Sequence, residues 1–155
     1  MTAAQEVVNR FYEAFARRDG DAMAACYADR VVFTDPVFPY LKGEEAKGMW
    51  RMLCGRSADL RVEFRLEDAD SDTVIAHWDA YYTFTKTGRR VHNRITGRLW
   101  VSDGKIERHV DDFSFWRWSR QALGPVGLLL GWTPWLKAKI RREAQRGLTK
   151  FLDTK

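Results

Sequence analysis

The hydrophobic period of this chain changes once, near residue 59, and that change narrows the folds open to it more than any other feature. Before it, Val7, Val8, Phe11 and Phe15 recur at the spacing of one helical face. After it, Leu60, Val62, Phe64 and Leu66 alternate as they would along a half-buried strand. Thr2 with Gln5 reads as a capping box opening a first helix, and Asp19-Gly20-Asp21 breaks the chain and caps a second through Met23 and Tyr27. Val31 to Thr34 reads as a strand ending at Asp35-Pro36, and Gly43 opens a third helix over Glu44 to Gly55. Four strands follow: Leu60 to Leu66, Val74 to Phe84, Val91 to Val101 and Ile106 to Phe115. The turns between them are Ser71-Asp72, Thr87-Gly88 and Asp103-Gly104, so successive strands are expected to pair as an antiparallel meander. Helices first and sheet second predict an α+β domain, with the N-terminal helices packed on one face of a strongly bent antiparallel sheet.

A chain of 155 residues, 45% hydrophobic and 14% aromatic, is enough for one core and excludes a disordered polymer. Its two cysteines, Cys26 and Cys54, lie in helical segments without metal-ligand spacing and read as buried thiols. The N-terminal stretch has no basic start followed by an apolar run, so no signal peptide is expected and the cytoplasm is the expected location. There is no Gly-rich phosphate loop, nucleophile motif or metal cluster, and no cofactor or metal is expected.

Strand alternation distributes the polar residues between two faces. Ile75, His77, Asp79, Tyr81 and Thr83 share one side of their strand, and Ala76, Trp78, Ala80, Tyr82 and Phe84 the other. Asn93, Ile95, Gly97 and Leu99 share a side of the next strand, and Glu107, His109, Asp111 and Phe113 a side of the last. If the side bearing His77 and Asp79 meets the helices, two carboxylates, one or two imidazoles and an amide enter one apolar chamber roofed by the three helices. Unpaired charge there costs several kcal/mol, so such groups pair, hold water or meet a ligand. With the sides reversed, His77 and Asp79 form a polar pair in solvent. Trp78, Tyr82, Phe84 and Trp100 would then lie on the outer face under the first assignment, and a homodimer through that face is expected, unless the C-terminal tail covers it.

The order helix, helix, strand ending in Asp-Pro, helix, four-stranded meander, with ADRVVFTDP and DGKIERHVDDF as fixed points, resembles the nuclear transport factor 2-like superfamily. Within it the chain is most similar to SnoaL-like and ketosteroid-isomerase-related proteins. The resemblance spans residues 3 to 115 and implies a cone-shaped fold. It puts Asp35 where ketosteroid isomerase keeps its proton-transferring aspartate. Phe11 falls in place of the oxyanion-donating tyrosine, and Thr96 or Gly97 in place of the protonated aspartate, so steroid isomerisation is not implied. The limonene epoxide hydrolase pattern falls on His77, Asp79 and Asp111, with Phe33 and Asp35 replacing its water-holding tyrosine and asparagine. SnoaL-type cyclases have a base at about the position of Asp111, and either His77 or His109 could accompany it. The implied activity is general acid/base chemistry of isomerase, cyclase or hydrolase type on a small hydrophobic molecule. Asp35, His77, Asp79 and Asp111 are the candidate catalytic residues. Phe11, Phe15, Phe33, Trp50, Tyr81, Asn93, Ile95, His109 and Phe113 are the expected pocket lining. The alternative is a noncatalytic binder of an apolar ligand or lipid.

Residues 1–118 are thus expected to form the SnoaL-like domain and residues 119–155 a C-terminal helical extension that is not an independent domain. The net charge of +5 belongs to the tail: residues 116–155 carry nine basic and two acidic side chains. Within the tail, Gly124 to Leu136 runs without a charge, shorter than the roughly 20 residues needed to span a bilayer. Thr133 and Pro134 then begin an amphipathic helix with Leu136, Ile140, Ala144, Leu148 and Leu152 along one side. The tail is expected to cover the open end of the pocket or a dimer partner. A peripheral membrane contact is the alternative, and nucleic-acid binding is not expected.

Overall fold

The computed structural model describes residues 1–154. Helix α1 (Ala3–Ala16) begins at the expected capping box, with Thr2 accepting from the Gln5 amide and Gln5 answering to the Thr2 amide. Helix α2 (Gly20–Cys26) is capped by Asp19, whose carboxylate accepts from the Ala22 amide at 3.0 Å. Strand β1 (Tyr27–Thr34) starts four residues before its apolar run because Tyr27 already turns inward and is buried. Strand β2 (Leu41–Lys42) is too short to leave an alternation in the sequence. Helix α3 (Glu44–Arg56) starts after Gly43, whose φ of 59° suits glycine.

The meander follows as β3 (Arg61–Asp68), β4 (Thr73–Phe84), β5 (Arg89–Ser102) and β6 (Lys105–Asp112). The last hairpin turns on Asp103 and Gly104, both at positive φ. The six strands form one sheet in the order β2-β1-β6-β5-β4-β3, and β1 pairs β6 in parallel, so the sheet is mixed rather than wholly antiparallel. The register shifts between Trp100 and Val101, a bulge that bends β5.

The three N-terminal helices cover one face of the sheet. Register then fixes which side chains share that face. Leu99 stands beside His109 and Val74, Gly97 beside Asp111 and Ala76, and Ile95 beside Trp78. The inner set of β4 is therefore Val74, Ala76, Trp78 and Ala80, all buried. His77, Asp79 and Tyr81 lie on the outer face, contrary to the first of the two assignments. The more apolar set goes inside because burying an indole stabilises by roughly 2–3 kcal/mol, whereas burying an unpaired carboxylate costs that much or more.

The outer face is accordingly polar. His77 pairs with Glu67 at 2.8 Å and His92 with Asp79 at 2.7 Å. Arg61 stacks over Tyr81, which in turn stacks on His92. Trp78 and Tyr82 belong to the core, and Phe84 packs against Trp118. Of the four aromatics expected there, Trp100 stays on the outer face, with Arg98 and Arg108 over its ring, so this face is less aromatic than the expected dimer surface.

Beyond the sheet, α4 (Phe115–Leu123) is capped by Ser114 and lies against β5, so the 118/119 division falls inside it. Helix α5 (Pro125–Leu130) doubles back on α4, and α6 (Pro134–Asp153) runs back across the molecule. Ile140 of α6 joins a small cluster with Val91, Phe115 and Trp118. Further along, Leu148 and Leu152 close over Gly48 of α3, where a Cβ would collide with Leu152. Helix α6 thus spans from β5 to α3 over the loop after β1. Leu148 is fully buried in the main core. Leu148→Ala should lower the unfolding free energy by roughly 3 kcal/mol in a single urea transition; a separate early transition for α6 would count against one cooperative unit.

Candidate functional site

At the centre of the inner face sits His109, with no surface exposed, and a buried imidazole must spend both ring nitrogens. Nδ1 lies 2.7 Å from the Tyr27 hydroxyl, and Nε2 lies 2.8 Å from Asp111 Oδ1. The Trp50 indole N–H donates to the same Tyr27 oxygen at 2.7 Å. One tautomer satisfies all three bonds. Nε2–H donates to the Asp111 carboxylate, Nδ1 accepts from the tyrosine O–H, and the tyrosine oxygen accepts from Trp50.

His109 and Asp111 are two apart on β6 and so share its inner face. The strand partner of Asp111 is Gly97, where a Cβ would come within 2.5 Å of Asp111 Oδ1 and 3.2 Å of the Tyr12 hydroxyl. A bare α-carbon on β5 is what lets the carboxylate fold down onto the sheet. Burial, reinforced by the Asp111 charge, pushes the Tyr12 phenol well above its ordinary range, and burial does the same to Tyr27. Both remain neutral hydroxyls, and Tyr27 donates to His109 Nδ1.

Phe11, Phe15, Phe33 and Trp50, expected to line a pocket, instead pack ring to ring around this centre. Trp50 stacks on His109 at 5.9 Å, Phe33 meets it edge-on at 5.0 Å, and Phe11 stacks on Tyr27 at 5.1 Å. Each of the four is at most 2% exposed. The deep end of the cone is thus filled by rings, not hollow. Helical and strand periodicities placed these residues inward, but they do not distinguish a wall from a filling.

The entrance is different. Asp35 follows β1 and turns inward beside Asp111, and its Oδ1 accepts from the Val37 and Phe38 amides at 2.7 and 2.6 Å. Among the described residues nothing hydrogen-bonds its other oxygen. Burial, with a contribution from the Asp111 charge, pushes this carboxyl from 3.8 up to about 7, against the two amide bonds and Arg141. Arg141 of α6 reaches the same loop, donating from Nε to the Pro36 carbonyl at 2.9 Å.

Tyr82 completes the entrance. It accepts from the Trp118 indole at 2.8 Å, and burial together with the Asp35 charge raises its pKa to about 12. No acceptor for its own proton is present among the described residues. Asn93 and Ile95 are buried on the inner face of β5, and the Asn93 amide makes no hydrogen bond among the described residues. Phe113 is partly buried between the two apolar clusters.

Of the candidate residues, then, Asp35, Asn93, Ile95, His109, Asp111 and Phe113 face the interior or its entrance. His77, Asp79 and Tyr81 do not. Tyr27, Tyr82, Trp118 and Arg141 were not anticipated. Tyr27 lies at a helix-strand junction, Tyr82 falls on the outer face only if His77 and Asp79 point inward, and the other two belong to a tail whose path the sequence does not specify. Among the described residues no three His, Cys, Asp or Glu side chains converge as metal ligands would.

A family model for the SnoaL-like domain matches residues 8–109. Solved structures with the same fold include an LEH-like epoxide hydrolase from M. tuberculosis, 23% identical, with a TM-score of 0.63 over 83% of this chain and 96% of that one. A protein from Xanthomonas campestris described as a candidate polyketide cyclase is 24% identical, with a TM-score of 0.64 over 77% of this chain and 96% of that one. An NTF2-like protein of unknown function from Burkholderia pseudomallei is 19% identical, with a TM-score of 0.62 over 73% and 92%. No curated protein sequence matches the chain.

The entrance carboxyl makes stability depend on pH. With a folded pKa near 7 and an ordinary value of 3.8, Asp35 holds a proton in the folded protein that the unfolded chain has released. Its contribution to stability is complete below about pH 4 and is lost as pH rises through 7. The wild type should therefore lose roughly 2–4 kcal/mol relative to Asp35→Asn between about pH 4 and pH 8 in urea unfolding. A constant difference across that window would mean an ordinary, hydrated carboxylate.

Proposed function

This chain belongs to the SnoaL-like domain family, and on that premise we propose that it carries out cofactor-independent general acid/base chemistry on a small hydrophobic molecule bound at the entrance of the cone. The observation that carries the reading is the division of labour between two carboxyl groups. Asp111 is tied to His109 and 4% exposed, whereas Asp35 has one oxygen held by two amides and the other uncommitted.

A carboxyl with a pKa near 7 is half ionised at neutral pH and returns a proton as readily as it takes one. Asp35 is the proton-transfer group in this reading, abstracting from a carbon next to a carbonyl or from water. Tyr82, neutral and with its proton free to donate, is in this reading the donor to the oxygen on which negative charge develops. It takes the role left open by Phe11, which has no hydroxyl. The amide of Asn93 supplies a further polar contact, and Ile95 and Phe113 supply apolar wall. Asp111 and His109 act from behind as a buried polar pair, and the Asp111 charge adds to the burial that raises the Asp35 pKa. All of these residues come from one chain.

The family resemblance to isomerases, cyclases and epoxide hydrolases supports this reaction class without selecting among its members. Exchange of α-protons of small cyclic ketones in D2O, followed by proton NMR, tests it. Wild type should accelerate exchange along a pH profile rising to a plateau above about 7, the ionisation of Asp35. Asp35→Asn should lower the rate by roughly 10²–10⁴-fold and abolish that profile, and Tyr82→Phe should lower it by about 10–10²-fold. Unchanged exchange in Asp35→Asn would remove the assignment.

A further inference from the structure

We propose that the elbow made by α4, α5 and the first turn of α6 is a docking surface for the headgroup region of an anionic lipid bilayer. The observation is a helix built inside out. Of the six residues of α5 only Gly127 is buried. Val126, Leu128, Leu129 and Leu130 face solvent, followed by Trp132 and Trp135, with Leu129 68% and Trp132 74% exposed. A water-soluble helix ordinarily turns such side chains toward its neighbour.

The outward orientation is fixed by the backbone. A Cβ on Gly127 would fall onto the Ser119 carbonyl, and one on Gly131 would strike the Gly127 carbonyl and the Ser119 side chain. Helix α5 therefore approaches α4 through its glycines, over a Ser119 that is itself fully buried and bonded to the Phe115 carbonyl at 2.7 Å. Gly124, at φ 66°, ends one helix and starts the other. Indole bonds then brace the patch, from Trp116 to the Leu128 carbonyl at 3.1 Å and from Trp132 to the Leu129 carbonyl at 2.9 Å. This is a formed platform, and its leucines have been turned away from the protein.

Charge identifies what the platform meets. Between Phe113 and Arg142 there is no Asp or Glu, while Arg117, Arg120, Lys137, Lys139, Arg141 and Arg142 supply six cations. Two of them adjoin the apolar surface directly, Arg120 4.9 Å over Trp116 and Lys139 5.7 Å over Trp135, whereas Arg141 is bonded to the Pro36 carbonyl. A second copy of the same surface would set cation against cation. A nucleic acid would use the cations and leave the aliphatic side chains in water. A bilayer with anionic headgroups uses both, taking leucine into the acyl boundary, tryptophan at the polar edge and the cations among the phosphates. No helix among the described residues is long and apolar enough to cross a membrane, so the contact is made from one side.

Flotation of the full chain with vesicles of phosphatidylcholine, with and without phosphatidylserine, tests this. The protein should float with the serine-containing vesicles at low salt, with a blue shift of tryptophan emission, and should release as salt rises. Leu129→Asp and Trp132→Ser should each weaken partitioning by roughly tenfold, the factor for withdrawing one large apolar side chain. Arg120→Glu with Lys139→Glu should abolish the preference for phosphatidylserine. All four positions are exposed, and an unchanged thermal melt confirms that each variant folds. No flotation of the wild type at low salt, or equal flotation of Leu129→Asp, overturns the proposal. So does a wild type that sediments as a dimer and becomes monomeric in Leu129→Asp, since a second copy then covers the patch.

Discussion

An imidazole sealed from water has to be satisfied by its surroundings, and in this molecule the means of satisfying His109 organise everything around it. Its two nitrogens fix the Tyr27 hydroxyl and the Asp111 carboxylate, and Tyr27 in turn fixes the Trp50 indole. Three elements, β1, α3 and β6, are thereby held at one point by polar contacts, while the rings of Phe11, Phe33 and Trp50 exclude solvent from it. In a low-dielectric interior such a network is stiff when complete and costly when broken, by about 1–3 kcal/mol for each polar group left without a partner.

The same arrangement explains why the open chemistry lies at the entrance. With the deep end of the cone filled and Asp111 committed to His109, the negative charge there is fixed in place and reaches Asp35 as a repulsion. Asp35 is dry enough to resist ionising, yet half its acceptor capacity is unused. Trp78 is a counterpart on the other side of the interior, with a buried indole N–H that finds no acceptor among the described residues. An interior that completes one polar network and leaves other polar groups unspent is consistent with a domain arranged around something it binds.

Much of this was legible in the sequence. Thr2 and Gln5, Asp19, Gly43 and the Asp103-Gly104 turn mark element ends because capping and positive φ are local chemistry. The family resemblance rests on the same order of elements, and the inward position of Asp111 follows from alternation along β6. Strand β4 does not reveal its inner set by itself, because His77 and Asp79 alternate with Trp78 and Ala80 at the same period. Its true faces follow from the pairing of Trp78 with Ile95 and Ala76 with Gly97, which is a matter of register between strands and not of either strand alone. The short β2, the parallel pairing of β1 with β6 and the crossing of α6 over the entrance are likewise nonlocal. So is the pairing of Tyr27 with His109, 82 residues apart.

Arg141, held to the carbonyl beside Asp35 from 105 residues downstream, gives the entrance one further property. Its guanidinium favours the ionised carboxylate, while the helix that carries it helps to keep water away and so favours the protonated form. If α6 lifted, the attraction would weaken and hydration would increase, and these act on the carboxyl in opposite directions. Burial is the largest cause of the raised pKa and the Arg141 charge the smallest, so lifting the helix would act chiefly by admitting water and would return the entrance carboxyl toward its ordinary acidity.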